Sequence, residues 1–375
     1  MLLQSLKTLV RTTPTLAPIP NRAVISVTGS QATEFLNGIV ASTVPTGPND
    51  HFYSTFLHAQ GRVLYDVFVY ANPVNGRPGH LIEFDALSTN TEAPPLLPML
   101  KKYILRSKVR VQDVTDQWDV WAAWGSEKER QWETERQWTV ARSGAVEPVW
   151  NKDGEWPWGN EPFHLRDRRG VGLGHRLLVR KGEKPQESST HDLGSPEDYT
   201  LHRIVHGVPE GSVDIPPTQA FPMDSNLDIM GALDFRKGCY VGQELTVRTY
   251  HTGVVRKRIF PVVIHRPGQS VDEAITAPMK PILSPGLDIR AHKTALEDST
   301  STRSVRPRGT GKLLSTTQGV GLALLRLEHI VSLERGEAKL EFETASATEE
   351  GSKETWAVTP WRPSWWPALA PPDAQ

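Results

Sequence analysis

The chain has 375 residues, 42 basic and 43 acidic side chains and a formal net charge of −1, a balance that excludes a protein built overall to grip a polyanion such as a nucleic acid. Apolar residues make up 38%, with no run near the roughly 20 residues of a membrane helix, so no membrane span is expected. The single cysteine, Cys239, excludes an internal disulfide and a multi-cysteine metal site within this chain.

No Asp or Glu precedes Glu34, while Lys7 and Arg11 are basic and Leu2, Leu3, Leu6, Leu9 and Val10 recur at helical spacing. This reads as a mitochondrial transit peptide over residues 1–20. Ala23 to Val27 follows as a strand, and Ser30 is placed to cap a helix that buries Phe35, Leu36, Ile39 and Val40. Gly61 to Tyr70 and Gly79 to Phe84 read as strands joined through Asn75-Gly76. A helix over Leu96 to Tyr103 and a strand over Lys108 to Val114 come next.

Residues 118–158 hold eight of the twelve tryptophans, with Trp118, Trp121 and Trp124 spaced either as a helix stripe or along a strand. Such clusters are read as core or interface packing. Gly170 to Gly174 reads as a hairpin turn, lacking the spacing of a dinucleotide fingerprint. Lys181 to Asp198 is polar and reads as an exposed loop, leading into a helix with His202 and His206 four apart. Leu201, Ile204, Val205 and Val208 form that helix's apolar face, and the histidines lie on another side without a third metal ligand. Polar insertions at 292–308 and 344–354 flank Gly319 to Arg326, a buried strand or short helix. The tail from Thr359 carries Trp361, Trp365 and Trp366, either packed back or offering an aromatic surface. The organisation expected is a mixed α/β body over 21–250, its Trp-rich part at about 116–190, then a β domain over 251–375.

Cys239 is flanked by Gly238 and Gly242, and Arg236, Lys237, Arg248, Arg256, Lys257 and Arg258 surround it in sequence with one acid, Glu244. Glycines permit a sharp bend or close approach, and cations favour the thiolate. The thiol is thus a nucleophile, a redox group, or one ligand of a site completed by another molecule. A lone thiolate cannot hold an iron–sulfur cluster, which takes four ligands. Asp66 lies on one strand face with Leu64 and Phe68; a carboxylate there is a structural acceptor, for a backbone N–H or for Arg62, or is used in chemistry.

Lys237-Gly238-Cys239-Tyr240-Val241-Gly242-Gln243-Glu244 resembles the Lys-Gly-Cys-Tyr-x-Gly-Gln-Glu signature of the YgfZ family, kin to the folate-binding aminomethyltransferase of the glycine cleavage system. Phe35 to Gly38, Gly61 to Asp66, Tyr103 to Val109, Phe221 to Asp228, Arg248 to Gly253 and Gly319 to Arg326 extend the match over about residues 21–330. The resemblance implies an α+β fold of two interleaved ferredoxin-like α/β units plus a C-terminal β-barrel, around a central folate-type cavity. It implies a mitochondrial matrix factor, a monomer when alone, non-enzymatic or weakly enzymatic. Such a factor acts late, with A-type iron–sulfur carrier proteins, to mature [4Fe–4S] proteins. Cys239 would then be a ligand to a bridging iron–sulfur cluster or a transfer thiol, within a binding set of Lys237, Tyr240, Gln243, Glu244 and Arg248.

The alternative is a tetrahydrofolate-dependent one-carbon transferase. Against it, Tyr65-Asp66 stands where aminomethyltransferases carry adjacent acids, and Val205 aligns with their pterin-binding Glu. Asp66 or Asp224 would have to serve as the pterin anchor.

Overall fold

The structure, a computed structural model, describes residues 6, 9–11, 13–47, 49–86, 93–132, 136–150, 155–277, 283–294, 311–345 and 353–368. Among these, no helix is long and apolar enough to cross a membrane. They divide into two compact units. The body comprises Arg11–Tyr199 and Glu210–Val254; the barrel unit comprises Thr200–Pro209 and the chain from Val255 on, with the N-terminal residues before Arg11.

The body is built on two five-stranded sheets. The first has the order β3-β4-β5-β2-β6, from β2 (Arg22–Thr28), β3 (Phe52–Leu57), β4 (Val63–Ala71), β5 (Gly79–Asp85) and β6 (Arg110–Asp113). β4 is buried along its whole length. Alternation turns Tyr65, Val67 and Val69 into an apolar core shared with Phe35, Leu36, Leu96, Met99 and Leu100 of the helices Ala32–Asn37 and Leu96–Tyr103. Asp66, Phe68 and Tyr70 point the other way. The two-residue turn between β4 and β5 uses Asn75 and Gly76, both left-handed at φ 51° and 72°, the geometry that matches strand twist in a hairpin.

Ser30 does not cap the helix: Ala32–Asn37 starts after Gln31, and no side chain caps it. A turn closed by Ala32 N–H donating to Gly29 C=O comes first, and the helix begins beyond it. β3 escaped the sequence reading because all six residues are buried, which erases the two-residue alternation of a half-exposed strand.

The second sheet has the order β10-β11-β7-β1-β12, from β1 (Thr15–Pro18), β7 (Trp118–Trp124), β10 (His164–Arg166), β11 (His175–Arg180) and β12 (Asp192–Leu193). The tryptophan triplet is therefore a strand: Trp118, Val120, Ala122 and Trp124 share one face and Trp121 takes the other. β10 and β11 form the hairpin expected around Gly170 to Gly174, with Gly172 and Gly174 at positive φ. A small separate hairpin pairs β8 (Gln137–Val140) with β9 (Val146–Val149). The stretch 181–198 is mostly exposed, as expected, but contains a 3-10 turn, Gln186–Ser189, and β12, and its last residues open the helix Pro196–Val205.

β1 corrects the N-terminal boundary. It lies inside the 1–20 span read as a transit peptide, yet it is buried and pairs with β7 and β12. A cut at residue 20 would remove a strand from the middle of the second sheet. Half of the remaining span lies outside the described residues; of the rest, Leu6 is buried in a core cluster of the barrel unit and Arg11 lies 3.2 Å from Asp198 in the body.

The barrel unit closes six strands in the order β13-β16-β15-β14-β17-β18. These are β13 (Lys257–His265), β14 (Asp288–Lys293), β15 (Gly311–Thr317), β16 (Val320–Arg326), β17 (Ala338–Ala345) and β18 (Lys353–Pro360). Gly319 to Arg326 is thus a strand, entered through a Gln318-Gly319 turn at φ 49° and 79°. The middles of the two polar insertions lie outside the described residues. The tail packs onto this unit: Trp361 joins the cluster of Ile259, Val263 and Leu322, and the Trp366 ring sits 5.3 Å from Phe260. His202 is buried as well, with its ring 4.3 Å from His206.

Candidate functional site

Cys239 is exposed, in a body loop that runs from Asp234 into the helix Gln243–Thr252. Almost every neighbour of the thiol is tied down. Asp234 accepts from Thr43 Oγ1 and from Arg236 N–H, and its own N–H donates to Ala41 C=O. Phe235 stacks on Tyr250 at 4.1 Å, and Tyr250 Oη donates to Glu147 at 2.6 Å. Lys237 Nζ donates to the carbonyls of Asn37, Val40 and Ser42 at 2.9, 2.8 and 2.9 Å. An ammonium has three protons, so this grip on the end of the helix Ala32–Asn37 uses all of them. Burial pulls the Lys237 pKa down to about 8. The Tyr240 ring is buried beneath that ammonium, 5.0 Å away, and Val241 packs into the apolar core.

Gln243 Oε1 accepts from Tyr240 N–H, and Val241 N–H donates to Gly38 C=O. Gly242 starts the helix at φ 81°, where an added Cβ would lie 2.4 Å from His58 O and 2.7 Å from Leu57 Cβ. Gly238 differs, since a Cβ there would meet nothing within 4 Å. The loop is therefore clamped on both sides of one exposed dipeptide, Gly238-Cys239.

The six cations read from sequence do not act together. Lys237 is committed to carbonyls, Arg256, Lys257 and Arg258 belong to the barrel unit, and Arg258 is buried there at 0% exposure. Arg236 and Arg248 remain as exposed cations of the body loop and its helix, with Arg236 3.5 Å from Glu147. Glu244 is exposed on the same helix, one turn before Arg248. Asp224 is half-buried in the turns that precede the loop.

Asp66 lies elsewhere in the body, at 3% exposure. Its oxygens accept from Gly211 N–H at 3.2 Å and Tyr53 Oη at 3.4 Å, fulfilling the backbone-acceptor reading. Arg62 is not its partner; that guanidinium stacks 3.4 Å over Phe221 and donates to Gln219 C=O. Instead Asp66 borders a buried ionic cluster that sequence reasoning missed. Glu83 receives Arg22 Nε and Arg176 Nη2, both at 2.7 Å. Glu210 receives Arg176 at 2.9 Å, Arg169 at 2.8 Å and Tyr199 Oη at 2.6 Å, and Asp167 receives Arg169 at 2.7 Å. One signal was available: alternation along β5 puts Glu83 on a face with Leu81, the rule that singled out Asp66.

Arg22, Arg169 and Arg176 face Glu83, Glu210, Asp167 and Asp66, three cations against four carboxyl groups. Burial works to raise Glu83, but Arg176 and Arg22 outweigh it and its pKa is lowered. Burial wins at Asp66, whose pKa is raised despite Arg22. Because the folded pKa lies above the unfolded one, the charged form opposes folding: its cost is absent at low pH and grows as pH rises through the folded pKa. Asp66→Asn should therefore leave Tm unchanged or raised at neutral pH. A fall worth more than about 1 kcal/mol would show that the cluster needs the anion.

A half-open pocket in the body is lined by Tyr53, Trp150, Trp156, Trp158, Glu147 and Asp234, among others, and measures about 180 Å³. Small-molecule sites run from roughly 300 to 1,000 Å³. Its two carboxylates are already engaged, Glu147 by Tyr250 and Asp234 by Thr43 and the Arg236 N–H. No carboxylate is left to take both N–H groups of a pterin edge, so these residues do not fit a folate. Titration with tetrahydrofolate should give no binding heat and no rise in Tm; saturable heat would contradict this.

A two-sheet α+β body and a separate closed barrel, with the single thiol exposed on a clamped loop of the body, define the scaffold. Comparison with solved structures supports the scaffold: the glycine cleavage system aminomethyltransferase T from Bartonella henselae superposes with a TM-score of 0.57 at 13% identity, covering 95% of this chain and 88% of that one. The CAF17 C-terminal β-barrel domain matches residues 256–368. The mitochondrial iron–sulfur cluster assembly factor IBA57 homologue of Cryptococcus neoformans is 41% identical over 332 residues, 84% of either chain. That of Mycosarcoma maydis is 33% identical over 94% of this chain and 85% of its own. The chain belongs to the IBA57 family of iron–sulfur cluster assembly factors.

Proposed function

We propose that this protein is a late-acting mitochondrial iron–sulfur cluster assembly factor that works in the matrix with an A-type carrier protein to mature [4Fe–4S] proteins. The cluster is its cargo. Cys239 supplies one thiolate, and the partner's cysteines complete the four ligands that one chain with one cysteine cannot provide. The observation that carries this reading is the clamped loop, which fixes the backbone on both sides of the thiol and leaves Gly238-Cys239 exposed between the clamps. A soft thiolate suits iron–sulfur ligation, and bare Gly238 lets a second backbone come close. Exposed Arg236 and Arg248 complement an anionic, thiolate-rich partner. The basic, acid-poor residues ahead of β1 serve as the targeting segment.

The test is reconstitution of the chain with an A-type carrier, iron and sulfide. Cys239→Ala, at an exposed position, should keep its Tm and lose the shared cluster absorbance. Equal absorbance and an equally stable complex in variant and wild type would overturn the ligand role.

A further inference from the structure

The β10–β11 hairpin carries a side-chain cluster that cluster assembly leaves unused. Arg166 lies opposite His175 and His164 opposite Leu177, so the two histidines are diagonal neighbours on one sheet face. Their rings stack 5.8 Å apart at 12°. From the 3-10 turn Gln186–Ser189, Glu187 Oε1 reaches to 3.3 Å from His175 Nε2 and 3.8 Å from His164 Nδ1. One donor atom from each of the three lies within 4.8 Å of the others. A tetrahedral zinc ion, about 2.0–2.2 Å from each ligand, separates its donors by roughly 3.3 Å. The cluster already stands near that spacing.

Two further observations point to a cation. Glu129 Oε1 lies 3.2 Å from His175 Nδ1, which leaves Nε2 directed at the centre of the group. The carboxylate thus sits at ion-pair distance behind the ring, a position from which carboxylates orient metal-binding histidines. Glu129 is itself held, by Ser126 N–H on Oε2 and by His191 Nε2 at 3.2 Å. Glu187 Oε2 is buried and accepts no hydrogen bond among the described residues. A buried carboxylate oxygen without a donor is costly, and a cation between the rings would offset that cost.

We propose that His164 Nδ1, His175 Nε2 and the Glu187 carboxylate bind a divalent first-row transition cation of the zinc class, with water as the fourth ligand. His164 is 32% exposed, which gives the ion a way in. Glu161 Oε2 lies 3.9 Å from His164 Nδ1, on a half-exposed carboxylate that also pairs with Lys128 at 3.8 Å, and is left out of the ligand set. Two nitrogens and one carboxylate suit zinc, cobalt or ferrous ion; magnesium and calcium require a shell of oxygens. The bound ion staples the hairpin to the turn at 186–189 and, through Glu129, to the helix Glu127–Trp132.

The test is titration of the chelator-stripped, full-length protein with Co2+, Zn2+, Fe2+ without oxygen, and Mg2+. Expected are one equivalent of Co2+ with the visible absorption of a four-coordinate ion, its displacement by Zn2+, a higher Tm with Zn2+, weaker Fe2+ binding at the same residues, and no response to Mg2+. His164→Ala and Glu187→Gln should abolish the Co2+ spectrum while their metal-free circular dichroism matches wild type, and Glu129→Gln should weaken Zn2+ binding by about 10- to 100-fold. His164→Asn repeats the first variant with a smaller change in shape. Failure of the wild type to take Co2+, or spectra unchanged in the ligand variants, would overturn the site and leave a hydrogen-bonded imidazole–carboxylate relay in its place.

Discussion

Replacing Arg176 by Ala is expected to lower the stability of the body by about 3–5 kcal/mol. The guanidinium is fully buried and reaches both oxygens of Glu83 and both of Glu210, with its face 4.0 Å from the Phe68 ring. Its removal leaves two cations against four carboxyl groups, all of them buried. At roughly 2–4 °C per kcal/mol for a unit of this size, Tm should fall by about 10 °C. The loss measures an uncompensated charge, not the worth of the ion pair. A combined Arg176→Met and Glu83→Gln replacement should therefore cost less than the sum of its parts, because each change relieves the charge the other strands. Denaturant unfolding of the two single variants and the double variant supplies the cycle. A cost under about 1 kcal/mol for Arg176→Ala would show that water or a shifted side chain already compensates the carboxylates.

The second large effect belongs to Gly242. An alanine there must hold φ near 81° and place its Cβ 2.4 Å from His58 O, an oxygen that already accepts the Gly61 N–H. A left-handed alanine costs about 1–3 kcal/mol, and overpacking adds about 1–3 kcal/mol more. Since the obstacle is backbone, the loop yields before the turn at 58–61 does, and Cys239 moves with it. Gly242→Ala should thus destabilise the body and also abolish cluster sharing while the thiol remains intact. Gly238→Ala is the matching control: with nothing within 4 Å of the new Cβ, Tm should not change. A Gly238→Ala chain that keeps its Tm but loses carrier binding would place the partner against this spot. A Gly242→Ala chain with wild-type Tm would refute the steric argument.

How much of this was legible in the sequence differs from place to place, for physical reasons. The helix Leu96–Tyr103 matched the sequence expectation at both ends, because an apolar stripe on a polar segment is a local property. Gly61 to Tyr70 became Val63–Ala71 because a run of nine mostly β-branched and aromatic residues reads as a strand even with both faces buried. Phe52–Leu57, covered on both faces, gave no alternation to detect. At the site, the exposed cysteine agrees with a motif that marks it as usable, but the grouping of six cations failed. Adjacency along the chain says nothing of burial, and Lys237 and Arg258 turned inward. The ionic cluster draws on Arg22, Glu83, Arg169, Arg176 and Glu210, and the histidine cluster on residues from Glu129 to His191. Each is made only when two sheets or a hairpin and a distant turn meet, and no window along the chain contains it.

The place of β1 bears on the order in which the molecule is assembled. Thr15 pairs with Trp124 on one side and Asp192 on the other, so the earliest strand of the chain has no partner until much later segments are present. Contacts between such distant residues form late, after the loop-closure entropy of the intervening chain has been met. The first sheet has no such debt, since β2 to β6 lie consecutively in the chain. A molecule threaded from its N-terminus would therefore complete the first sheet while β1 is still an unpaired apolar edge, the kind of segment chaperones cover. The interleaving that joins the two halves of the body also makes its first strand the one most exposed to misassembly.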